Sequence, residues 1–439
     1  MSRVLLVRVP LVLVALLAAR AVPAADAMVE SQAEVDAVPV VPLKPGDTVQ
    51  FGDLQKIKDY IPEPFWENRE FFFFEGMTMQ IGEFYHDYTP TSARKELTQK
   101  YKGQARIGRD GSLENYLLGL PFPDVSPDDP GAGVKYAWNL AYRHDALEGE
   151  ADWFFTYWDN GEVLPLWYKG TGWGMRLSRR TDLADREGAS FWKQEKRIGA
   201  GGIEVDEPHD ARGIIGLGYR YLSADGPRDE ARRDDIWVYI PSLRRVRRIS
   251  SGSRTDRISG TDMTAEDGGG FSGIMTNFNW EYIGEAEVLA PIDSTLRGYP
   301  YTEDENFGPL GFSLGNDTWQ LRKVMILEQR PKDDNHPYER KRLWIDQQTY
   351  TILYATAYDR KGELWKLIYR ATRWTESAHQ EKKVEGVEMR AFLPVAQVLV
   401  NPITGTGVRI ENFNVKATRM SKGRIRRRID IGRLSREGR

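Results

Sequence analysis

The stretch Val324–Trp374 decides the fold class, and it reads VMILEQR, PKDDNHP, YERKRLWID, QQTY, TILYATAYD, RKG and ELWKLIYRATRW in chain order. Segments rich in β-branched and aromatic residues alternate here with short turn segments, which is typical of consecutive strands. In residues 352–358, Ile, Tyr, Thr and Tyr at every second position share one face, as in a half-buried strand. Connections this short exclude parallel crossovers, so neighbouring strands should pair antiparallel.

Strand patterns recur along the chain from about Lys135 onward. Further strands are predicted near 151–157, 190–197, 213–222, 235–240, 278–288 and 408–418. Two short helices are predicted before them, at 54–60 and 93–101. The sequence thus predicts a mainly β protein with one large curved antiparallel sheet, an open or incomplete barrel, and a few short helices packed in or near its concave face.

The N-terminus has the residue order of a secretory signal: Arg3 and Arg8, an apolar run at 11–19, and small residues to Ala27. The apolar run is shorter than the about 20 residues that span a bilayer, so we predict that residues 1–27 are a cleaved signal peptide. The chain has no cysteine, which excludes disulfides and lipid attachment at an N-terminal cysteine. We therefore expect a periplasmic protein that is not lipidated.

The predicted domain organisation follows from composition. Residues 28–46, with their prolines, form an extended segment, and residues 47–420 form the curved-sheet domain, as one unit or two fused lobes. The arginine-rich residues 421–439 lack a clear amphipathic apolar stripe, so we expect a solvated basic tail, with partner docking as the alternative.

Charge and composition exclude several classes of partner and site. The formal net charge of −3 gives no reason to expect a nucleic-acid partner. The five histidines are scattered without ligand spacing, and Asp262, Glu266 and Asp267 lack the alternating pattern of a calcium loop. We predict no metal site and no cofactor.

One motif could indicate an enzyme. GFSLG at 311–315 has the spelling of a hydrolase nucleophile elbow, which would make Ser313 a nucleophile. The elbow requires a helix after the serine, whereas NDTWQLRKVMILEQ follows and predicts a strand. We interpret the motif as a glycine-rich turn and expect a protein that is not an enzyme.

The candidate binding residues lie in the segment 235–267. DIWVYIPSLRRVRRIS joins an aromatic strand to an arginine cluster, and GTDMTAED supplies an acidic loop after it. On an extended strand Arg245 and Arg247 share one face, while Arg244 and Arg248 share the other.

Two interpretations of the arginine cluster remain open. In the structural one, which we favour because charge runs are commonly paired, the arginines pair with acidic residues of the following loop. Those acids are Asp256, Asp262, Glu266 and Asp267. In the functional one, the arginines form a rim that holds an anionic head group, while Trp237 and Tyr239 line an apolar interior.

These residues resemble a known family. WVYIPSLRRVRRIS with GTDMTAED, and RKRLWIDQQTYTILYATAYDRKGELWK further on, resemble the outer-membrane lipoprotein-sorting superfamily of LolA/LolB-like proteins. Within it the chain is similar to a large periplasmic branch of unassigned biochemical role, and NLAYRHD with the GLPFP loop suits that branch too. That branch is similar to proteins encoded beside resistance-nodulation-division (RND) type exporters. The resemblance implies an incomplete antiparallel barrel around helices, an apolar cavity for acyl chains, and traffic between inner and outer membranes.

The chain departs from the small carriers of that superfamily in its greater length, which puts lipoprotein itself in doubt as cargo. We predict a carrier that binds a lipid or another hydrophobic molecule in a β-sheet cavity. An inner-membrane RND-type exporter and an outer-membrane protein are its candidate partners. The alternative is a non-carrying adaptor or scaffold of an envelope exporter, and an esterase that uses Ser313 is the least favoured hypothesis.

Overall fold

A large, mainly antiparallel sheet is the framework of the structure, a computed structural model that describes residues 43–143, 148–249, 254–300, 307–376, 383–384 and 387–437. The predicted signal peptide, residues 1–27, and residues 28–42 of the predicted extended segment lie outside these ranges. The strands are β1 (Thr48–Gln50), β2 (Thr78–Ile81), β3 (Arg106–Ile107), β4 (Leu113–Glu114), β5 (Glu148–Asp159), β6 (Glu162–Arg176), β7 (Arg197–Glu207), β8 (Ile215–Tyr221), β9 (Asp235–Ile240), β10 (Arg245–Ile249), β11 (Phe278–Ala290), β12 (Thr318–Pro331), β13 (Tyr338–Asp346), β14 (Ile352–Asp359), β15 (Leu364–Trp374), β16 (Lys383–Val384), β17 (Val387–Glu388), β18 (Phe392–Asn401) and β19 (Thr406–Thr418).

Short helices accompany the sheet. The α-helices are α1 (Glu63–Glu67), α2 (Ser92–Tyr101), α3 (Ala132–Ala141), α4 (Lys422–Arg428) and α5 (Ile431–Glu437), and Phe51–Tyr60 is a 3-10 helix. In the part of the chain that the structure describes, no helix combines the length and the apolar character needed to cross a membrane.

The main sheet is open. Its hydrogen-bonded order is β1-β2-β12-β13-β14-β15-β18-β19-β5-β6-β7-β8-β9-β10, and β11 pairs with β12 as well. Among the described strands every pair is antiparallel except β2 with β12, where Thr318 lies opposite Gln80. This arrangement confirms the predicted mainly β class and the antiparallel meander from β12 to β15.

Most predicted strands lie where the sequence patterns indicated, and β9 has the predicted bounds. The patterns missed β6 and β18 and placed β7 too early. In β6 and β7 the cause is glycine, which recurs in both strands and has little preference for extended structure. The expectation of strands from Lys135 onward is wrong for α3, which is a helix with most of its residues buried.

N-terminal aromatic residues cover one face of the sheet between β11 and β18. The 3-10 helix, α1 and the run Phe71–Phe74 form an apolar cluster with that face. The Phe65 ring lies 4.8 Å from the Tyr354 ring, and the Phe72 ring lies 5.1 Å from the Tyr369 ring, in edge-to-face geometry. The predicted helix at 54–60 thus serves as a core element.

The opposite face of these strands is covered by α3 and by residues of the loop before β11. Ala137, Leu140, Met263 and Phe271 are buried there in a second apolar cluster. α3 approaches β11 closely at Gly133, where an added Cβ would lie 2.5 Å from the Trp280 carbonyl oxygen. We call this side of the whole sheet the α3 face.

The basic C-terminal residues correct an expectation. Instead of a solvated tail, residues 422–437 form α4 and α5, which pack on β8 and β9 through buried Ile425, Ile429 and Leu434. Arg428 reaches Glu150 of β5 at 2.5 Å. These helices cover the side of β6–β10 that is opposite to the α3 face, so the arginines act partly as anchors of a packed element.

Candidate functional site

An apolar cavity of about 750 Å³ lies over β5, β6, β7, β18 and β19. Its walls include the aromatic and aliphatic side chains of Trp153, Phe155, Tyr168, Ile203, Val205 and Ile410. Phe155 also belongs to the second apolar cluster, the one beneath α3, so the cavity opens on the α3 face, beside the region that α3 covers. Ile203 is 49% exposed to this space. The volume falls in the range of roughly 300–1,000 Å³ that small-molecule sites occupy. We call this space the sheet cavity.

Glycines in β5 and β6 lack side chains and so leave open space above these strands, which form the floor of the sheet cavity. Gly172 and Gly174 of β6 pair with Ala151 and Gly149 of β5, and all four residues line the cavity. A Cβ added at Gly174 would meet no heavy atom within 4 Å. Larger side chains at these positions would therefore project into the cavity and occupy the volume.

The loop after β10 forms one side of the sheet cavity. Ile258 and Met263 of this loop line the space. The loop continues into a short 3-10 helix, Ala265–Gly270, whose N-terminus has a capping box. In that box the Thr264 N–H donates to Asp267 Oδ2 at 2.9 Å.

Asp267 anchors this loop to the sheet through a fully buried ion cluster. Its carboxylate accepts from Lys341 Nζ on β13 at 2.7 Å and from Lys366 Nζ on β15 at 3.1 Å. Tyr338 donates its hydroxyl to the same carboxylate at 2.9 Å. Burial alone would raise the pKa of the Asp267 carboxyl, but the two ammonium groups outweigh burial and hold that pKa well below its usual range. The loop is therefore held on the sheet both by these buried ion pairs and by apolar packing.

The other acids of the loop also have specific partners. Glu266 Oε2 lies 3.0 Å from His336 Nε2, and Asp262 Oδ1 lies 3.4 Å from Arg257 Nη2. The sequence favours pairing of these acids with the arginines of β10. In the structure Asp262 pairs with Arg257, Glu266 with His336, and Asp267 with two lysines.

The arginine cluster itself lies at β10, the last strand of the sheet. Arg248 forms an ion pair with Asp235 of the neighbouring strand. Arg244 takes a left-handed conformation with φ of 47° in the turn before β10, so it is not part of the strand. Arg245 and Arg247 are exposed.

Arg245 and Arg247 lie on the α3 face. Cross-strand pairs place Arg247 in one row that runs through β9 and β8 to Ile203 and Gly172, which line the sheet cavity. Because neighbouring strands are about 4.8 Å apart, Arg247 lies roughly 14 Å along the sheet from Ile203. The two arginines thus sit at the edge of the face that holds the cavity.

Trp237 and Tyr239 lie on the opposite face, because alternate residues of a strand point to opposite sides. Tyr239 is buried in the cluster formed with α4 and α5, and Trp237 packs against that cluster with its ring 4.9 Å from the Tyr219 ring. The structure therefore does not bring this aromatic pair to the sheet cavity, contrary to the functional interpretation of the sequence.

Ser313 has a structural environment. Its buried hydroxyl donates to the Phe72 carbonyl at 2.6 Å and accepts from the Gly315 N–H at 2.9 Å. The strand β12 follows, as the sequence predicts, so the exposed strand-to-helix geometry of a nucleophile elbow is not formed here.

The residues that shape the sheet cavity are those that sequence reasoning missed. Their signal is the recurrence of glycine in GTGWG at 170–174 and GAGG at 199–202. Glycine inside a strand commonly marks a place where another group approaches the backbone closely. Two such strands side by side could have indicated a low, accessible surface.

Comparison with known proteins gives a family match over most of the chain. A family model described as "Protein of unknown function (DUF1329)" matches residues 73–423. A curated relative, described as uncharacterized protein PA3922 of Pseudomonas aeruginosa, is 24% identical over 137 residues. That alignment spans 30% of this chain and 30% of the relative's length.

Several solved structures are similar to the chain. One, named as an outer membrane lipoprotein-sorting protein domain from Vibrio parahaemolyticus, is 18% identical with a TM-score of 0.45, over 69% of this chain and 98% of that chain. A DUF1329 family protein from Desulfovibrio piger is 20% identical with a TM-score of 0.45, over 68% and 96%. A LolA superfamily protein from Nitrosomonas europaea is 13% identical with a TM-score of 0.36, over 66% and 96%.

Proposed function

This chain belongs to the DUF1329 family, and we propose that it is a periplasmic carrier that holds a lipid or another hydrophobic molecule in the sheet cavity. The observation that carries the proposal is the cavity itself, with its aromatic and aliphatic walls and its glycine floor. Transfer of the cargo between inner and outer membranes is part of the proposal and rests on the resemblance to LolA-like carriers.

The expected affinity follows from apolar burial. A ligand that buries roughly 300 Å² of apolar surface gains about 7 kcal/mol at about 25 cal/mol per Å². Ordering of the ligand and the loop reduces this gain. The unreduced gain corresponds to a dissociation constant of several micromolar, so after the cost of ordering we expect binding between about ten micromolar and one millimolar, which suits a carrier that must release its cargo. Arg245 and Arg247 at the edge of the same face are the proposed contacts for a polar head group.

Filling the cavity tests the proposal. Gly174→Phe should weaken binding of the neutral apolar probe N-phenyl-1-naphthylamine by at least about tenfold, because the new ring occupies the ligand volume. Gly423→Phe on α4 is the matched control, since an added Cβ there also meets no heavy atom within 4 Å but lies away from the cavity. Probe fluorescence gives the affinities, and circular dichroism checks the fold. Equal binding by both variants would contradict the proposal.

The cargo can be identified directly. Protein purified from its native host should carry a discrete hydrophobic molecule, found by mass spectrometry of a solvent extract. Gly174→Phe prepared in the same way should carry less of it. If the purified protein contains no such molecule and binds no apolar probe, the carrier function is excluded.

A second candidate function is an adaptor of an envelope exporter, and one observation favours it. β10 is an edge strand that carries four arginines in and beside it, and Arg245 and Arg247 are exposed. An adaptor should co-purify with an RND-type exporter and lose it in the Arg245→Ser/Arg247→Ser double variant. A carrier that needs no such contact should still bind the neutral probe N-phenyl-1-naphthylamine as the wild type does in that variant, because this probe has no anionic head group for the two arginines to hold.

A further inference from the structure

A second cavity, of about 320 Å³, lies near the C-terminal end of α3. Its walls come from α2, from Arg143 two residues after the end of α3, from the turn between β13 and β14, and from the ends of β15 and β18. Cationic and aromatic side chains line it together, among them Arg94, Lys95, Arg143, Tyr350, Trp374 and Phe392. We call this space the arginine cavity.

Arg143 is the unusual member of this lining. Its Nη1 donates to the Leu140 carbonyl at 2.7 Å, and its buried Nε has no hydrogen-bond partner. Its described electrostatic neighbours are Arg370 and Arg176, both cations. Burial, with these two guanidinium groups, lowers the pKa of Arg143 to about 9, and burial lowers the pKa of Arg370 to about 10.

Arg390 differs from Arg143 because its guanidinium is paired with carboxylates, whereas Arg94, like Arg143, donates to a backbone carbonyl. Arg390 Nε lies 3.0 Å from Glu376 and 3.1 Å from Glu388, and Arg94 donates to the Tyr142 carbonyl at 2.6 Å. Burying a guanidinium without a carboxylate is costly, whereas a paired one is largely compensated. Arg143 therefore leaves the cavity with positive charge that the described side chains do not neutralise.

We propose that the arginine cavity binds an oxyanion, a phosphate or carboxylate group, at Arg143, and that its aromatic wall accommodates an apolar group attached to that anion. The planar guanidinium donates in pairs to such oxyanions. Trp374, Phe392 and Tyr350 supply the apolar surface next to it. This site is separate from the sheet cavity and does not depend on the proposed carrier function.

Titration calorimetry on the full chain tests the site with three probes: octyl phosphate, inorganic phosphate and octanol. Arg143→Met should weaken octyl phosphate at least about tenfold and leave octanol unchanged. The variant should fold, because it removes a partly buried charge that no described carboxylate compensates and keeps the length of the side chain. Arg360→Met, in the exposed turn between β14 and β15, is the control and should bind all probes as the wild type does.

A second variant makes the test independent of Arg143. Gln99 is exposed on α2 and lines the arginine cavity, so Gln99→Glu adds a carboxylate without changing size. It should weaken octyl phosphate by about two- to fivefold through repulsion, a smaller factor because the added carboxylate is exposed to solvent. Inorganic phosphate that binds as tightly and with the same Arg143 dependence supports the site and identifies a free anion as the ligand. Failure of both anions to bind, or binding that neither variant weakens, overturns the proposal.

Discussion

Among the acids of the segment 235–267, Asp267 matters most for the position of the loop beside the sheet cavity. Sequence reasoning assigned this acidic loop to the neighbouring arginines, yet its carboxylate meets Lys341 and Lys366 from two sheet strands. All three side chains are fully buried. The loop that borders the sheet cavity is thus held in place by charges that have no access to water.

Removing that carboxylate's charge should destabilise the protein strongly. Asp267→Asn leaves two buried ammonium groups without a counter-charge, which costs about 3–5 kcal/mol in comparable buried pairs. The free energy of unfolding in urea measures the loss. Asp229→Asn, at an exposed aspartate, should change it by less than about 0.5 kcal/mol. A similarly small effect at Asp267 would contradict the anchoring role.

The same residue predicts a pH dependence. Its folded pKa lies below the unfolded value of about 3.9, so the stabilisation is present above about pH 4 and is lost as the pH falls further. The difference in unfolding free energy between wild type and Asp267→Asn should be constant from pH 7 to pH 5 and smaller at pH 3. A difference that already shrinks between pH 7 and pH 5 would indicate another titrating group.

Among the elements, the C-terminal helices differ most from the expectation. Their arginines suggested a solvated tail, because an apolar stripe of three residues spread over two short helices is a weak signal. In the structure Ile425 is 0% exposed and packs on the sheet cluster that contains Tyr219 and Tyr239. α4 and α5 thereby close the side of β6–β10 opposite the cavity.

Truncating this contact tests its weight. Ile425→Ala should lower the free energy of unfolding by about 2–4 kcal/mol, since it removes buried methyl groups and leaves a void. Lys422→Ala, at an exposed position on the same helix, should change it by less than about 0.5 kcal/mol. Thermal or urea unfolding gives both values. If the two variants unfold alike, the helices do not contribute to the core.

On the scale of the whole molecule, the two halves of the sheet are covered differently. The strands β13 to β15 have apolar clusters on both faces, whereas β6 to β8 have α4 and α5 on one face and the sheet cavity on the other. Fewer buried apolar contacts favour local opening. We therefore expect the half that holds the cavity to open more readily than the half with apolar clusters on both faces.

Amide hydrogen exchange should reveal this asymmetry. Mass spectrometry should find the slowest exchange in β13, β14 and β15 and faster exchange in β6, β7 and β8. An apolar ligand in the sheet cavity should slow exchange in β5 to β7 and leave β13 to β15 unchanged. Uniform exchange across the sheet would argue against a deformable half.

The sequence by itself determined the mainly β class, the antiparallel meander from β12 to β15 and the strand β9. Their signals are local: alternation of apolar residues and turn segments a few residues long. The same local signals failed for β6 and β7, where glycine weakens the strand pattern, and for α3, where buried apolar residues fit a strand or a helix.

Only the tertiary structure decided the site. Asp267 meets lysines that are 74 and 99 residues away in the chain, and β19 pairs with β5 to close the wall of the sheet cavity. The arginine at 143 became a candidate only when the fold placed it near other cations. Strand alternation is a local property that the sequence encodes directly, whereas the identity of a strand's neighbour and the charge around a side chain depend on distant segments. The segment 235–267 could therefore be recognised from its residues, but its partners and its place beside a cavity could not.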